Sequence, residues 1–297
     1  MPVAASAASP DDLRDGQPDP PNGLVLVSTP IGNLGDIGVR ARTVLGSCDL
    51  ILCEDTRRTG RLLTALDIHN RTDALHDHNE DSKIPMVLDR LRAGQTIGLV
   101  SDAGTPVVSD PGYRLVRAVI AAGLPVSAIP GPNAALTALI LSGLPPLPFM
   151  FLGFPPPRQA ARQAAFGRLR AAERAGLSAT LIWHEAPHRL LETLADIQEA
   201  FGDRSAAVAR ELTKRFETVV RGKVSDITTL FNREPARGEI TLLIGPPETE
   251  DPEDLDQRLR AALATQTVKD AAALVSTATG LPRKLVYARA LQIHQEG

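Results

Sequence analysis

The stretch LVLVSTPIGN, residues 24–33, decides the reading of the fold. Leu24 to Ser28 is an unbroken apolar run, and the turn formers Pro30, Gly32 and Asn33 follow at once. A short run that does not alternate with polar residues is buried on both faces, as strands of a parallel sheet are. Similar runs recur at Asp49–Cys53, Thr96–Val100 and Val126–Ile129. Between and after them the apolar spacing turns helical, over 36–45, 59–66, 84–93, 112–122 and 133–141. Strands alternating with helices give βαβ units and a parallel sheet. The polar segment His69–Asp81 reads as loop.

Outward from this domain, PPLPFMFLGFPPPR at 145–158 reads as an apolar linker, with three of the seven phenylalanines. A second α/β half follows. A long Arg-rich helix is expected from Arg158 to Ala175, then a strand at Ala179–Trp183 and a helix at His188–Ala200. Further strands are expected at Ala206–Ala209 and Glu239–Ile244, with strand and turn between Glu217 and Asp226. PPETEDPED at 246–254 is an acidic linker, and Leu255–Gln295 reads as two or three short helices with a turn at Gly280 and Pro282. The expected organisation is a disordered arm at 1–22, a parallel α/β domain at 23–146, a second α/β domain at 147–248 and a helical module at 252–297.

Composition narrows the function classes. The apolar fraction of 43% suffices for packed cores in a chain of 297 residues. The net charge of −3 argues against a generic polyanion binder, and aromatic residues are only 3%. Cys48 and Cys53 are expected on opposite faces of one strand, as unbridged thiols of a reducing compartment. No apolar run reaches membrane-spanning length, and the first residues lack the pattern of a secretory signal. These features predict a cytoplasmic enzyme.

Ligands of parallel sheets bind beyond the C-terminal ends of the strands. Here the four strands of the first domain run into Ser28–Asp36, Glu54–Arg58, Ser101–Pro106 with Ser109–Gly112, and Pro130–Ala134. Every one of these loops is small, polar or turn-forming. There is no GxGxxG after the first strand and no GxxxxGK[ST] anywhere, which argues against a dinucleotide fold and a P-loop.

The loops STPIGNLGD, EDTRRTGRLL, SDAGTPVVSDPG and IPGPNAALTAL resemble the successive signature loops of the tetrapyrrole-methylase superfamily. With HEAPHRLLETL and ARELTKRFE, they are similar to its branch of small-subunit ribosomal RNA methyltransferases. The likeness runs in order from Gly23 to Gly245. It implies the tetrapyrrole-methylase fold, two α/β domains with a cleft between them. It implies S-adenosylmethionine as donor, a cytidine ribose 2′-oxygen in the decoding region of 16S ribosomal RNA as acceptor, and a homodimer. RNA in the small ribosomal subunit, not DNA or a membrane, is then the partner. Carried over by position, Asp102 and the backbone of Ala103, Gly104, Thr105 and Pro106 hold the donor. Pro30, Ile31 and Gly32, in the loop Pro30–Asn33, lie alongside, and Asn133 and Ala134 contact its methionine or adenosine portion. Trp183 and His184 flank the adenine, with Glu211, Glu239 and Ile240 in further pocket loops. His184 departs from the branch, where Tyr is more usual.

A ribose hydroxyl is a poor nucleophile, so a proton acceptor is expected, and no metal. Glu54, Asp55 and Asp110 are the candidates; alternatively Glu54 and Asp55 cap the following helix or pair with Arg57 and Arg58. Arg57, Arg58, Lys214 and Arg215 are expected on RNA phosphate. Arg158, Arg162, Arg168, Arg170 and Arg174 mark either an RNA-facing surface or a solvated helix face. The C-terminal module adds RNA contacts or serves packing or dimerisation. His76 and His78 read as surface histidines. The rival functions are a porphyrin or corrin C-methyltransferase, a diphthine-synthase-type protein methylase and a non-catalytic RNA-binding scaffold.

Overall fold

The computed structural model describes residues 22–247, 252–279 and 281–296. The expected arm up to residue 21, the middle of the acidic linker and the Gly280 turn lie outside these residues. The described residues fall into two compact units, those from 22 to 138 with 211–218, and those from 139 to 210 with those from 219 to 296.

The first unit holds a five-stranded sheet of β1 (Leu24–Val27), β2 (Leu50–Cys53), β3 (Thr72–Ala74), β4 (Ile97–Leu99) and β5 (Val126–Ile129), in the order β3-β2-β4-β1-β5. All its pairings are parallel. Alternation along each strand sorts the core into two halves. Val25, Val27, Ile51 and Cys53 pack with Ala41, Val44 and Leu45 of α1 (Val39–Ser47) and Leu63 of α2 (Thr56–Ala65). Leu24, Leu50, Leu52, Ile97 and Leu99 face the other way, onto Val87 and Leu91 of α3 (Glu80–Arg92) and Leu115 and Val119 of α4 (Tyr113–Ala121). The buried Glu80 joins those two helices, accepting from the Leu115 N–H at 2.7 Å and pairing with Arg114 at 3.3 Å. The last helix of this run, α5, spans Ala134–Ser142.

The polar segment expected as loop contains β3. Its residues Thr72, Asp73 and Ala74 carry no apolar signal because it is an edge strand, held by backbone pairing to β2. The two cysteines are free, as expected, but Cys48 precedes β2 and caps α1, so both thiols enter the same core half. Burial pushes both thiols up.

The second unit holds β6 (Phe149–Phe151), β7 (Thr180–Glu185), β8 (Ser205–Arg210), β9 (Thr218–Lys223) and β10 (Ile240–Ile244), in the order β6-β7-β10-β8-β9. β6 runs parallel to β7, whereas β10 is antiparallel to both β7 and β8. Helices α6 (Gln159–Arg174), α7 (Leu190–Phe201) and α8 (Val224–Arg233) cover one face through Phe166, Leu194, Ile197, Phe201, Ile227 and Phe231. The expected linker thus contains an edge strand among its prolines. The segment read as strand and turn ends instead in α8, whose first turn is fixed by Asp226 bonding the Lys223 N–H at 3.4 Å.

The tail forms three helices, α9 (Pro252–Leu263), α10 (Val268–Thr279) and α11 (Arg283–Glu296), around a core of their own that includes Leu259, Val275, Val286 and Ile293. Among the described residues, no helix is long and apolar enough to cross a membrane.

Candidate active site

Because the first sheet is parallel, the C-terminal ends of β1, β2, β4 and β5 share one edge. Backbone bonds knit their loops together. The Thr29 N–H donates to the Gly104 carbonyl at 2.9 Å, the Gly104 N–H returns to Thr29 at 3.0 Å, and the Thr29 hydroxyl donates to the Ser101 carbonyl at 3.3 Å. Gly104 has φ +81°, and a Cβ there would lie 3.3 Å from Ile31 Cγ2. Asn133 donates to the Thr105 hydroxyl at 3.2 Å and accepts from the Leu136 N–H at 3.0 Å, tying the third loop to the start of α5. Pro30–Gly32, Asp102–Pro106 and Asn133–Ala134 therefore form one edge cluster within the first unit.

The turn that follows is strained. Val107 and Ser109 both have positive φ, 74° and 69°, and for a β-branched residue this conformation is a true outlier. Such strain persists only where surrounding structure enforces it, commonly at functional sites. Here it delivers Asp110 to Glu54 and Asp102. Asp110 is pushed up to about 6, first by burial and then by the charge of Glu54, with Asp102 adding to it and a Ser101 hydrogen bond opposing it. Glu54 is raised too, by burial first and then by Asp102.

Asp55 differs. Its carboxylate caps α2, accepting from the Arg57 N–H at 2.8 Å and the Arg58 N–H at 3.4 Å. The first of these bonds does most to hold its carboxyl below the usual range. The capping alternative is realised at Asp55, which makes it the weakest base of the three. Arg58 pairs with Asp102 at 3.0 Å, and the Asp55 N–H reaches the other oxygen of Asp102 at 3.1 Å. Arg57 is 87% exposed, 3.5 Å from Asp55.

The loop 211–218 belongs to this unit although its flanking strands belong to the other. Glu211 and Thr213 have positive φ, and Lys214 pairs with Glu211 at 2.8 Å. A Cβ on Gly32 would lie 2.4 Å from Lys214 Cγ, so the β1 loop and this loop touch where only glycine fits. Arg215 lies over the Phe216 ring, 5.4 Å from its centre.

In the second unit, period-two alternation separates neighbours. Trp183, expected beside the adenine, is instead packed in the core against Phe166 and Phe201, 5.5 and 6.5 Å between ring centres. Ile240, expected in a pocket loop, also turns its side chain into this core. His184 faces the opposite way, edge-on to Phe151 at 4.8 Å, with Nδ1 3.2 Å from the Thr241 hydroxyl. Burial lowers its pKa, against the pull of Glu239, so the ring is neutral at pH 7. Glu185 of the HEAPHR motif is structural: it is buried, receives the Thr193 hydroxyl and Ala186 N–H, and pairs with Arg189. Arg189 in turn donates to the carbonyls of Pro155 and Pro156 at 2.8 and 3.2 Å.

The arginines of α6 do not form one surface. Arg162 is buried and bonded to Asp196 at 2.6 Å. Arg170 pairs with Glu173, which is itself held by the buried Arg204 at 2.7 Å. Arg158, Arg168 and Arg174 are exposed but point in different directions around the helix. An RNA-facing stripe along α6 is thereby corrected. Arg162 was indistinguishable by sequence from its neighbours, because its partner Asp196 lies on another helix.

Comparison with known proteins agrees with this architecture. The family described as Tetrapyrrole (Corrin/Porphyrin) Methylases matches residues 23–228, and the RsmI C-terminal HTH domain matches residues 249–294. A relative from Micromonospora olivasterospora named "Ribosomal RNA small subunit methyltransferase I" is 46% identical over 272 residues, covering 89% of this chain and 85% of its own. One of the same name from Escherichia coli O157:H7 is 42% identical, covering 91% and 94%. Among solved structures, the methyltransferase CobJ superposes with TM-score 0.57 at 18% identity, over 78% of this chain and 97% of its own. A uroporphyrin-III C-methyltransferase from Thermus thermophilus complexed with S-adenosyl homocysteine gives 0.52 at 17% identity, over 74% and 96%. These two likenesses concern the fold.

Proposed function

From the premise that the chain belongs to the tetrapyrrole (corrin/porphyrin) methylase family, we propose that it methylates a cytidine ribose 2′-oxygen in the decoding region of 16S ribosomal RNA. It is a methyltransferase, and its donor is S-adenosylmethionine. The name shared by relatives along nearly the whole chain supports ribosomal RNA as the acceptor. The match of residues 249–294 to a branch-specific C-terminal domain favours RNA over a porphyrin or corrin.

The edge cluster suits such a donor. Asp102 spends only two of its roughly four lone-pair sites on the Asp55 N–H and Arg58, leaving acceptors for ribose hydroxyls. The Ala103–Pro106 backbone, Pro30–Gly32, Asn133 and Ala134 are the further candidates of the first unit, with Glu211. When bound, the donor supplies a methyl group already activated on a sulfonium. The protein supplies orientation, worth about 7–11 kcal/mol in favourable cases, and a proton acceptor.

The single observation that carries the chemical reading is Asp110. Its carboxyl, pushed up to about 6, is ionised at pH 7 yet basic enough to take the hydroxyl proton as the oxygen bonds the methyl carbon and the carbon–sulfur bond breaks, leaving a neutral thioether. Glu54 is the reserve. Single-turnover transfer to small subunits by Glu54→Gln, Asp55→Asn and Asp110→Asn variants tests this. Asp110→Asn should lose about 10²–10⁴-fold in rate with donor affinity kept. Full turnover in Asp110→Asn sinks the assignment to Asp110, and full turnover in all three variants sinks base catalysis by these carboxylates.

A further inference from the structure

We propose that Phe216 is a stacking platform for an unpaired base of the RNA acceptor. This rests on RNA being the substrate and names a contact for it. Phe216 is 64% exposed in a protein with few aromatics. Exposure alone is ordinary for a single apolar side chain; what sets Phe216 apart is that its loop is held by its own hydrogen bonds and carries two cations beside the ring.

The loop is stiff for definite reasons. Glu211 and Thr213 are both held in the left-handed region, at φ 52° and 64°. The Thr213 N–H donates to the Glu217 carboxylate at 2.6 Å, the Lys214 N–H to the Glu211 carbonyl at 3.0 Å, and the Glu217 N–H to the Lys214 carbonyl at 3.1 Å. Three such bonds across seven residues fix the direction of the Phe216 Cα–Cβ bond before any ligand arrives.

The neighbours determine the ligand's chemistry. Arg215 lies over the Phe216 ring, and a guanidinium plane with an aromatic face is the pair that single-stranded bases stack upon. Its charge, beside Lys214, suits the phosphate joined to such a base. The same loop seats against Gly32, in the loop that follows β1. Phe216 thus sits two residues beyond the point where its loop meets the edge cluster of the first unit, where a neighbouring ribose must be presented with its base splayed out of any stack.

The test uses the full chain, small ribosomal subunits lacking methylation and methyl-labelled donor, with Phe216→Ala, Phe216→Leu and Phe216→Trp variants. Loss of one stacked base predicts a KM for subunits raised on the order of 5- to 150-fold in the Ala and Leu variants. Donor affinity and kcat should stay unchanged, and Phe216→Trp should restore the parent KM. Donor affinity also reports that each variant is folded. An unchanged KM in Phe216→Ala, while the parent methylates RNA, overturns the stacking role alone. Equal rescue by Leu and Trp overturns it in favour of plain apolar packing. A parent that transfers no methyl group to RNA overturns the RNA reading, and this proposal with it.

Discussion

Replacing Asp110 with asparagine should disable the enzyme and stabilise the protein, and the second effect should depend on pH. Asp110 is raised from its ordinary 3.8 to about 6 by burial and by the charges of Glu54 and Asp102. The folded state thus binds its proton more tightly than the unfolded state. Stability is lost as pH rises from 3.8 to about 6, and the full penalty is carried above that range. At 1.36 kcal/mol per pH unit the interval corresponds to about 3 kcal/mol, and screening by solvent at a partly exposed carboxyl cuts it to roughly 1–2 kcal/mol. Asparagine keeps the shape and an oxygen for Ser101 but carries no charge. Denaturant unfolding followed in the first unit should therefore show the variant more stable than the parent by this amount at pH 8, with the gap closing by pH 4. Parent activity should rise through about pH 6 as Asp110 ionises and then level off, and the variant should lack that limb. Equal stability of the two proteins at pH 8, or a parent profile flat through pH 6, refutes the reasoning.

Other consequences separate structure from recognition. Arg162→Met leaves Asp196 buried without its cation and should cost about 3–5 kcal/mol, whereas pairing it with Asp196→Leu should recover most of that; RNA affinity should not change in the double variant, as filter binding would show. Gly104→Ala forces a side chain at φ +81° against Ile31 and should cost about 1–2 kcal/mol while weakening donor binding, both readable by calorimetry. Asp102→Asn should lower donor affinity, read by the same calorimetry, and release Arg58 from its ion pair.

Much of this was legible in the residues, for physical reasons. The runs at 24–27, 50–53 and 97–99 are interior strands of the first sheet, and their burial writes itself as continuous hydrophobicity, whereas 126–129 is a partly exposed edge strand marked by Val126, Ala128 and Ile129 alone. β3 and β6 were not legible, because edge strands gain their place from backbone pairing and Thr72–Ala74 or Phe149–Phe151 carry little pattern. The carboxylates at the strand ends stood out, but the division of labour among them did not. Only coordinates reveal that Asp55 spends its oxygens on Arg57 and Arg58 while the turn at Val107 and Ser109 brings Asp110 toward Glu54. Alternation along β7 required Trp183 and His184 to part, yet not which of them would face the helices. Phe216 escaped notice because one aromatic in a charged loop has no periodicity to mark it.

The most direct test is to incubate the chain with methyl-labelled S-adenosylmethionine and small subunits lacking methylation, then map the label. A methylated 2′-oxygen protects the adjoining phosphodiester from alkali, so the acceptor atom and its position are read together. The account predicts label on one cytidine ribose of the decoding region, abolished by Asp102→Ala. Label on a base, on a ribosomal protein, or nowhere in the subunit while the donor still binds, would contradict it.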